Sequence, residues 1–290
     1  FGEKRFYQAS TWLKENFGKK TIKLAIDGGF TCPNRDGSKG YGGCTFCSDS
    51  GSGEFASNIE DQIKLLSDKW PNAKYLGYFQ NHTNTYAPVS YLRKIFYEAI
   101  NSSDVVALSI ATRSDCLSEE IYELLDELNK IENLKWIRLL YCYPERITDE
   151  LIDAINRNEK VCHYIDMPMQ HVSGKILKSM NRPGDRDSLT ALINKLREKI
   201  EDVVIRTTFI VGFPGEGEKE FEELVEFVKW AKFDRLGAFA YCEEEGTFAA
   251  ENYRDSISRK KKQERLDRLM EVQQRISTRL NDAKVGNTYR

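Results

Sequence analysis

Three cysteines, Cys32, Cys44 and Cys47, fall within the stretch FTCPNRDGSKGYGGCTFCSDSGSGEFA, residues 30–56. Eleven residues separate the first pair and two the second. A closed structural zinc site takes four ligands, and disulfides take cysteines in pairs, so three thiolates leave one coordination position open. An iron–sulfur cluster held this way keeps one iron free to bind something else. A zinc ion with His82 as fourth ligand is the alternative. The cluster is the preferred reading, because Gly40, Gly42, Gly43, Gly51 and Gly53 let backbone amides approach sulfide, where hydrogen bonds tune a cluster.

The remaining cysteines, Cys116, Cys142, Cys162 and Cys242, stand singly in apolar runs, as buried free thiols do. An odd total of seven without a secretory signal predicts a reducing, cytoplasmic setting. With 290 residues, a net charge of −2, 40% hydrophobic and 30% charged residues, the chain reads as globular, with no basic field to recruit nucleic acid. No apolar run nears the ~20 residues that span a bilayer. A monomer without a membrane partner is expected.

The elements that must position these cysteines alternate. Short apolar runs occupy 22–30, 74–80, 105–112, 134–143, 162–170, 203–213 and 234–242, each bounded by polar or glycine residues, which is how buried parallel strands read. Amphipathic stretches at 57–70, 88–100, 118–130, 148–158 and 218–232 read as helices. The expected class is α/β, a TIM-like partial (βα) barrel of six to seven parallel strands, with the open doubly wound sheet as the other arrangement. Polar clusters follow the strands at QNHTNTY, RSD, YPER, PMQH, GFPGEGE and CEEEGT, where barrel chemistry sits. Residues 256–281 read as a long amphipathic helix with Leu266, Leu269, Met270, Gln273, Ile276 and Leu280 on its docking face, and RKKK (259–262) as a solvated helix start.

The cysteine loop resembles that of radical S-adenosylmethionine (SAM) enzymes. Their common spacing is shorter in the first gap, but the long gap matches a subfamily of uncharacterised radical SAM proteins with the loop CPNRDGxKGxGGCxFC. That resemblance continues through YFQNHTNTYAPV (78–89) and SIATRSDCLSEEI (109–121), and covers residues 1–130. WIRLLYCYPERITDELIDAI (136–155), YIDMPMQHVSGKILKSMNRPG (164–184) and IRTTFIVGFPGEGEKEFEELVEFVKWAKFDRLGAFAYCEEEGT (205–247) resemble instead the radical SAM core of methylthiotransferases that modify a ribosomal protein or tRNA, a resemblance assigned to residues 131–290. The expectation is therefore a barrel over 1–250, joined near 128–136 from two ancestries as a constructed or recombined chimera, with a helical extension over 251–290. The amino-terminal cluster domain and carboxy-terminal β-barrel of full methylthiotransferases are expected to be absent.

The resemblance implies that Cys32, Cys44 and Cys47 hold a [4Fe–4S] cluster and that SAM chelates the fourth iron. Reductive cleavage of SAM would then give a 5′-deoxyadenosyl radical, with a flavodoxin- or ferredoxin-type protein as one-electron reductant. Phe46 would pack near the adenine. Thr83, Asn84 and Thr85 would receive the methionine amino group, a cation that needs acceptors. Arg113 or Arg206 would pair with the carboxylate. Ile210, Val211 and Gly212 would line the adenine, while Gln170 and His171 would contact the ribose. Tyr241 ends the last strand, followed by Cys242 where the family normally shows serine. No catalytic residue beyond the cluster is assigned. The substrate stays open between an unknown molecule and a ribosomal protein or tRNA, as does the alternative of a chimeric cluster-binding scaffold without turnover.

Overall fold

The computed structural model describes residues 8–45, 55–132 and 134–287. They contain seven strands, one at each of the apolar runs, with β1 starting one residue before its run. The chain divides into two compact units: residues 1–32, 50–140 and 154–162, and residues 33–49, 141–153 and 163–290.

In the first unit, α1 (Ala9–Phe17) leads into β1 (Thr21–Ile26), followed by α2 (Ile59–Ser67), β2 (Lys74–Phe79), α3 (Val89–Asn101), β3 (Val105–Ala111), α4 (Glu119–Asn129) and β4 (Ile137–Leu140). The sheet is parallel in the order β1-β2-β3-β4, with a helix on every crossover. Strand β3 is buried at every position but one, as a parallel strand covered on both faces must be. Phe79 of β2 meets Phe96 of α3 edge-on at 5.1 Å, a pair worth about 0.5–1.5 kcal/mol beyond its buried area. Asn58 caps α2 by accepting from the Asp61 N–H at 2.9 Å. Helix α1 was not expected from sequence. It is held by Trp12, whose ring lies 5.2 Å from that of Trp136, a contact across 124 positions that no local pattern reveals.

Helix α5 (Asp149–Arg157) begins with Thr148 Oγ1 accepting from the Leu151 N–H at 3.3 Å. In the second unit, β5 (Tyr164–Asp166), α6 (Gly174–Ser179), α7 (Arg186–Lys199), β6 (Val204–Val211), α8 (Glu218–Ala231), β7 (Arg235–Ala240), α9 (Phe248–Asn252) and α10 (Arg259–Lys284) follow one another. The sheet is parallel in the order β5-β6-β7. Its core holds Ile193, Leu196, Phe209, Phe213, Phe221, Phe227 and Phe233 at 0–1% exposure, so one phenylalanine truncation there costs about 3–5 kcal/mol. Strand β6 alternates strictly between half-buried and buried residues. Strand β7 has no fully buried residue, unlike the buried strand read from its sequence, because it forms an edge of its sheet and leaves Phe239 62% exposed.

Helix α10 spans 26 residues and corrects the reading of the tail. Its buried face is built from Lys262, Arg265, Leu269 and Gln273, whereas Met270 is exposed. Lys262, one of the RKKK lysines taken as solvated, is buried because it donates to the Tyr241 carbonyl at 3.1 Å and pairs with Asp255. Among the described residues, no helix is long and apolar enough to cross a membrane.

Candidate functional site

In the first unit the expected site residues gather beyond the carboxyl ends of β1, β2 and β3. Cys32 follows β1, and the Thr83 N–H donates to the Thr31 carbonyl at 3.3 Å, fastening the TNT turn beside that cysteine. Asn84 is wholly buried. Its Nδ2 donates to the carbonyls of Asn81 at 2.8 Å and Ala111 at 3.1 Å. Both neighbours are acceptors, so the amide orientation is set and Oδ1 faces the other way. Among the described residues, Asn84 Oδ1 and Asn81 Oδ1 are buried acceptors without a hydrogen-bond partner. A buried polar atom in that state is costly and is satisfied by a donor from elsewhere. The Thr85 hydroxyl is joined to that of Thr112. A cleft of about 510 Å³ opens beside it, lined by Thr85, Pro88, Cys116 and Leu117 among others.

Arg113 follows β3 and is 6% exposed. Its Nε and Nη2 each donate to Asp115 at 2.9 Å, and its Nη1 points at Cys32 Sγ at 3.6 Å. The bidentate edge that would have served a SAM carboxylate is thus held by Asp115, a residue whose part the sequence did not reveal although it lies in the quoted RSD cluster.

In the second unit, the eleven-residue gap between the first cysteines closes on itself. Lys39 N–H donates to Pro33 O at 2.9 Å, Gly37 N–H to Gly40 O at 3.0 Å and Gly43 N–H to Asn34 O at 2.9 Å. Gly43 has a φ of 81°, and a Cβ there would meet Arg35 Nε at 3.1 Å, so this position requires glycine. Cys44 comes next, with its Sγ 3.2 Å from the Tyr143 hydroxyl. The Arg182 guanidinium lies 3.8 Å above the Tyr143 ring and donates to Pro168 O at 3.0 Å, fixing that ring from one face. Phe46 and Cys47 lie outside the described residues.

Gln170 takes a left-handed backbone (φ 68°) after β5, and its Oε1 is another buried acceptor without a partner among the described residues. A non-glycine residue held there costs about 1–3 kcal/mol, a strain that marks constrained sites. His171 is wholly buried. The Ser173 N–H donates to its Nδ1 at 3.0 Å, which leaves the proton on Nε2, 3.4 Å from Glu216 Oε2. Glu216 also accepts from the Gly212 N–H at 2.8 Å and from Arg265 at 2.8 Å. This His171–Glu216–Arg265 chain ties α10 to the loop after β6 and went unseen in the sequence, where no carboxylate was paired with His171.

Arg206 pairs with the buried Asp166 through Nη1 at 2.6 Å and keeps its side chain 33% exposed. Burial pulls its pKa down, but the Asp166 charge and hydrogen bond outweigh that and raise it. The alternation of β6 puts Ile210 on the face of Arg206 and Val211 on the opposite, buried face, so the two do not share one surface. Gly212 has a φ of 72°, and a Cβ there would meet Lys262 Cγ at 2.5 Å. Tyr241 is 7% exposed and packs edge-on against Phe213 at 5.0 Å, with burial and then Asp255 raising its pKa. Burial pushes the Cys142 thiol up to about 12, with the Asp166 charge adding to it, so that cysteine stays protonated and unreactive.

The donor set fits an iron–sulfur cluster. Cys32 and Cys44 are free thiols, and each meets an N–H or O–H group from a side chain, the kind of partner a metal-bound thiolate accepts from. Among the described residues, no three of His, Cys, Asp and Glu gather into a metal-sized group.

The family model for the radical SAM superfamily matches residues 32–228. The chain is 51% identical over 168 residues to the ribosomal protein uS12 methylthiotransferase RimO of Alkaliphilus oremlandii, covering 58% of this chain and 38% of that protein. It is 52% identical over 171 residues to RimO of Clostridioides difficile, covering 59% and 38%. The chain thus spans well under half the length of these curated relatives. Among solved structures, coproporphyrinogen III oxidase HemN from Escherichia coli superposes with a TM-score of 0.58 at 17% identity, covering 93% of this chain and 56% of that one. The parallel-strand α/β fold expected from the sequence is the fold of that radical SAM enzyme.

Proposed function

The chain belongs to the radical SAM superfamily, whose members use a [4Fe–4S] cluster and SAM, and from this premise we propose that it is a SAM-cleaving enzyme core with Cys32, Cys44 and Cys47 as cluster ligands. The observation that carries this reading is the setting of the two described thiols, each free and each facing a hydrogen-bond donor held in place by a further side chain. Bound there, the cluster and SAM supply one-electron cleavage to methionine and a 5′-deoxyadenosyl radical, with the electron drawn from a flavodoxin- or ferredoxin-type donor.

The chain's own residues bind and orient. Asn84 Oδ1 offers a buried acceptor to the methionine ammonium, alongside Thr83 and Thr85. Arg206 is the better of the two arginines for the carboxylate, because Asp166 occupies Nη1 and a third of the side chain is open, whereas Arg113 is spent on Asp115 and Cys32. Gln170 Oε1 is available to a ribose hydroxyl. Ile210 adds an apolar surface, whereas Gly212 is closed off by Lys262 and gives its N–H to Glu216, so it offers no approach to a ligand.

The test is spectroscopic. Anaerobically reconstituted protein should hold about four irons and four sulfides. Its reduced cluster should give an electron paramagnetic resonance spectrum that changes when SAM is added. A loaded cluster indifferent to SAM would refute the reading.

Identity of about half over 168 residues to RimO favours a second, finer reading, in which the macromolecule acted on is a ribosomal protein. Mass spectrometry of uS12 after incubation with the loaded protein, SAM, sulfide as the sulfur source and reductant decides it: a methylthio group gained supports it, and unmodified uS12 beside consumed SAM opposes it.

A further inference from the structure

Arg113 has five N–H groups arranged in a rigid fork. Asp115 takes the Nε/Nη2 edge with two bonds of 2.9 Å, and the pair is shut away at 7% and 4% side-chain exposure. This clamp leaves the guanidinium no rotation of its own, and it holds Nη1 3.6 Å from Cys32 Sγ. Arg113 caps the short 3₁₀ turn Ser114–Cys116, so the backbone on both sides of the pair is fixed as well. In the second unit Tyr143 stands to Cys44 in the same relation, with its hydroxyl 3.2 Å from the sulfur and its ring held beneath Arg182.

Resting on the cluster reading above, we infer that Arg113 and Tyr143 are positioning residues that set the reduction potential of the cluster through the sulfurs of Cys32 and Cys44, and that Asp115 sets the strength of the first. Reduction adds one negative charge to the cluster, part of which resides on its thiolates. A donor aimed at the sulfur stabilises that reduced state more than the oxidised one and raises the potential. Asp115 opposes it by neutralising the guanidinium. Arg113 therefore acts as a damped cation, strong enough to orient Cys32 and too well compensated to draw the potential far up. Such a setting suits a cluster that must hand its electron on to a hard acceptor such as a sulfonium.

The experiment is an anaerobic potentiometric titration of the reconstituted full chain, followed by electron paramagnetic resonance, with iron and sulfide counted in every sample. Arg113→Gln is expected to make reduction about tenfold less favourable, a fall of ~59 mV for a one-electron couple. Tyr143→Phe, which keeps the ring under Arg182, should shift the same way. Asp115→Asn should shift the potential upward, because it leaves the guanidinium uncompensated, and Arg113→Lys should fall between wild type and Arg113→Gln. Loaded variants whose potentials all equal that of wild type would overturn the inference, as would Arg113→Gln and Asp115→Asn moving in the same direction. If Arg113→Gln fails to load, the opposite signs expected of Tyr143→Phe and Asp115→Asn still decide the matter. A wild-type chain that takes up no iron and sulfide marks the failure of the cluster reading itself, which is a separate result.

Discussion

Glu216 Oε1 accepts from Arg265 Nη1 at 2.8 Å, with the carboxylate wholly buried and the arginine side chain 6% exposed. The two residues are 49 positions apart, so the pair binds the C-terminal helix α10 to the loop after β6. The same carboxylate accepts from the Gly212 N–H and lies beside His171. The helix is thereby part of the wall that shapes the loop, and its removal would expose a charge rather than a surface.

Arg265→Met leaves Glu216 buried without its cation. Breaking a buried pair from one side costs about 3–5 kcal/mol, so urea unfolding of this variant should show a loss in that range. Arg265→Met combined with Glu216→Gln should cost clearly less than the two single losses summed, since the residues are coupled. Additive losses would mean that the pair is not the fastener.

Gly212→Ala tests the close approach of α10 to β6. The added methyl meets Lys262 Cγ, and the left-handed φ of 72° strains any side chain there. The expected destabilisation is about 1–3 kcal/mol. Shortening Lys262 to Ala in the same chain should recover the steric share alone, leaving the backbone share. Wild-type stability in Gly212→Ala would refute the contact.

Asn84→Ala removes two donors to backbone carbonyls and one unpaired acceptor. Stability should fall by about 1–3 kcal/mol, the cost of stranding the Asn81 carbonyl, since the Ala111 carbonyl keeps the residue 84 backbone N–H at 2.8 Å. Affinity for SAM, measured by equilibrium dialysis of the loaded protein, should fall at least about tenfold, or ~1.4 kcal/mol. A variant that loses stability and binds SAM as wild type does would place Asn84 in the scaffold only.

Cys142 makes stability sensitive to alkali. Its thiol is pushed up to about 12 in the folded chain by burial first and by Asp166 second, from an ordinary 9.0. A raised folded value means that the unfolded chain ionises first. The contribution is therefore complete below pH 9 and is lost as pH rises from there towards 12. Chemical denaturation at pH 8 and pH 10 should show this decline, and Cys142→Ala should flatten it. An identical decline in Cys142→Ala would assign it to other groups.

Much of this architecture was legible before the structure. Seven apolar runs became seven parallel strands, because short runs bounded by turn residues mark strands whether they are covered on both faces, as β3 is, or alternate, as β6 does. Helices α2, α3, α4, α5 and α8 were readable from their apolar stripes. Helices α6 and α7 lie between the fifth and sixth runs and α9 follows the seventh, and their stripes are short or interrupted by charge. Ion pairing was the part that could not be read. Arg113 and Arg206 both looked like carboxylate binders, and only the fold shows that Asp115 holds the whole bidentate edge of one while Asp166 holds a single nitrogen of the other. Lys262 was read as solvated because nothing in RKKK announces that Asp255 and the end of β7 lie beside it. Ile210 and Val211 were placed together on the adenine by the family resemblance, and the two-residue period of β6 separates them.

The central claim is that three thiolates hold a cluster for the sake of SAM, and product analysis tests it most directly. Reconstituted protein is incubated anaerobically with SAM and dithionite, and 5′-deoxyadenosine is measured by chromatography, beside Cys32→Ala and Cys44→Ala controls. The account predicts 5′-deoxyadenosine from the wild-type chain and none from either control. A wild-type chain that carries about four irons and four sulfides yet forms no 5′-deoxyadenosine, or a Cys44→Ala chain that keeps cluster and turnover, would contradict it.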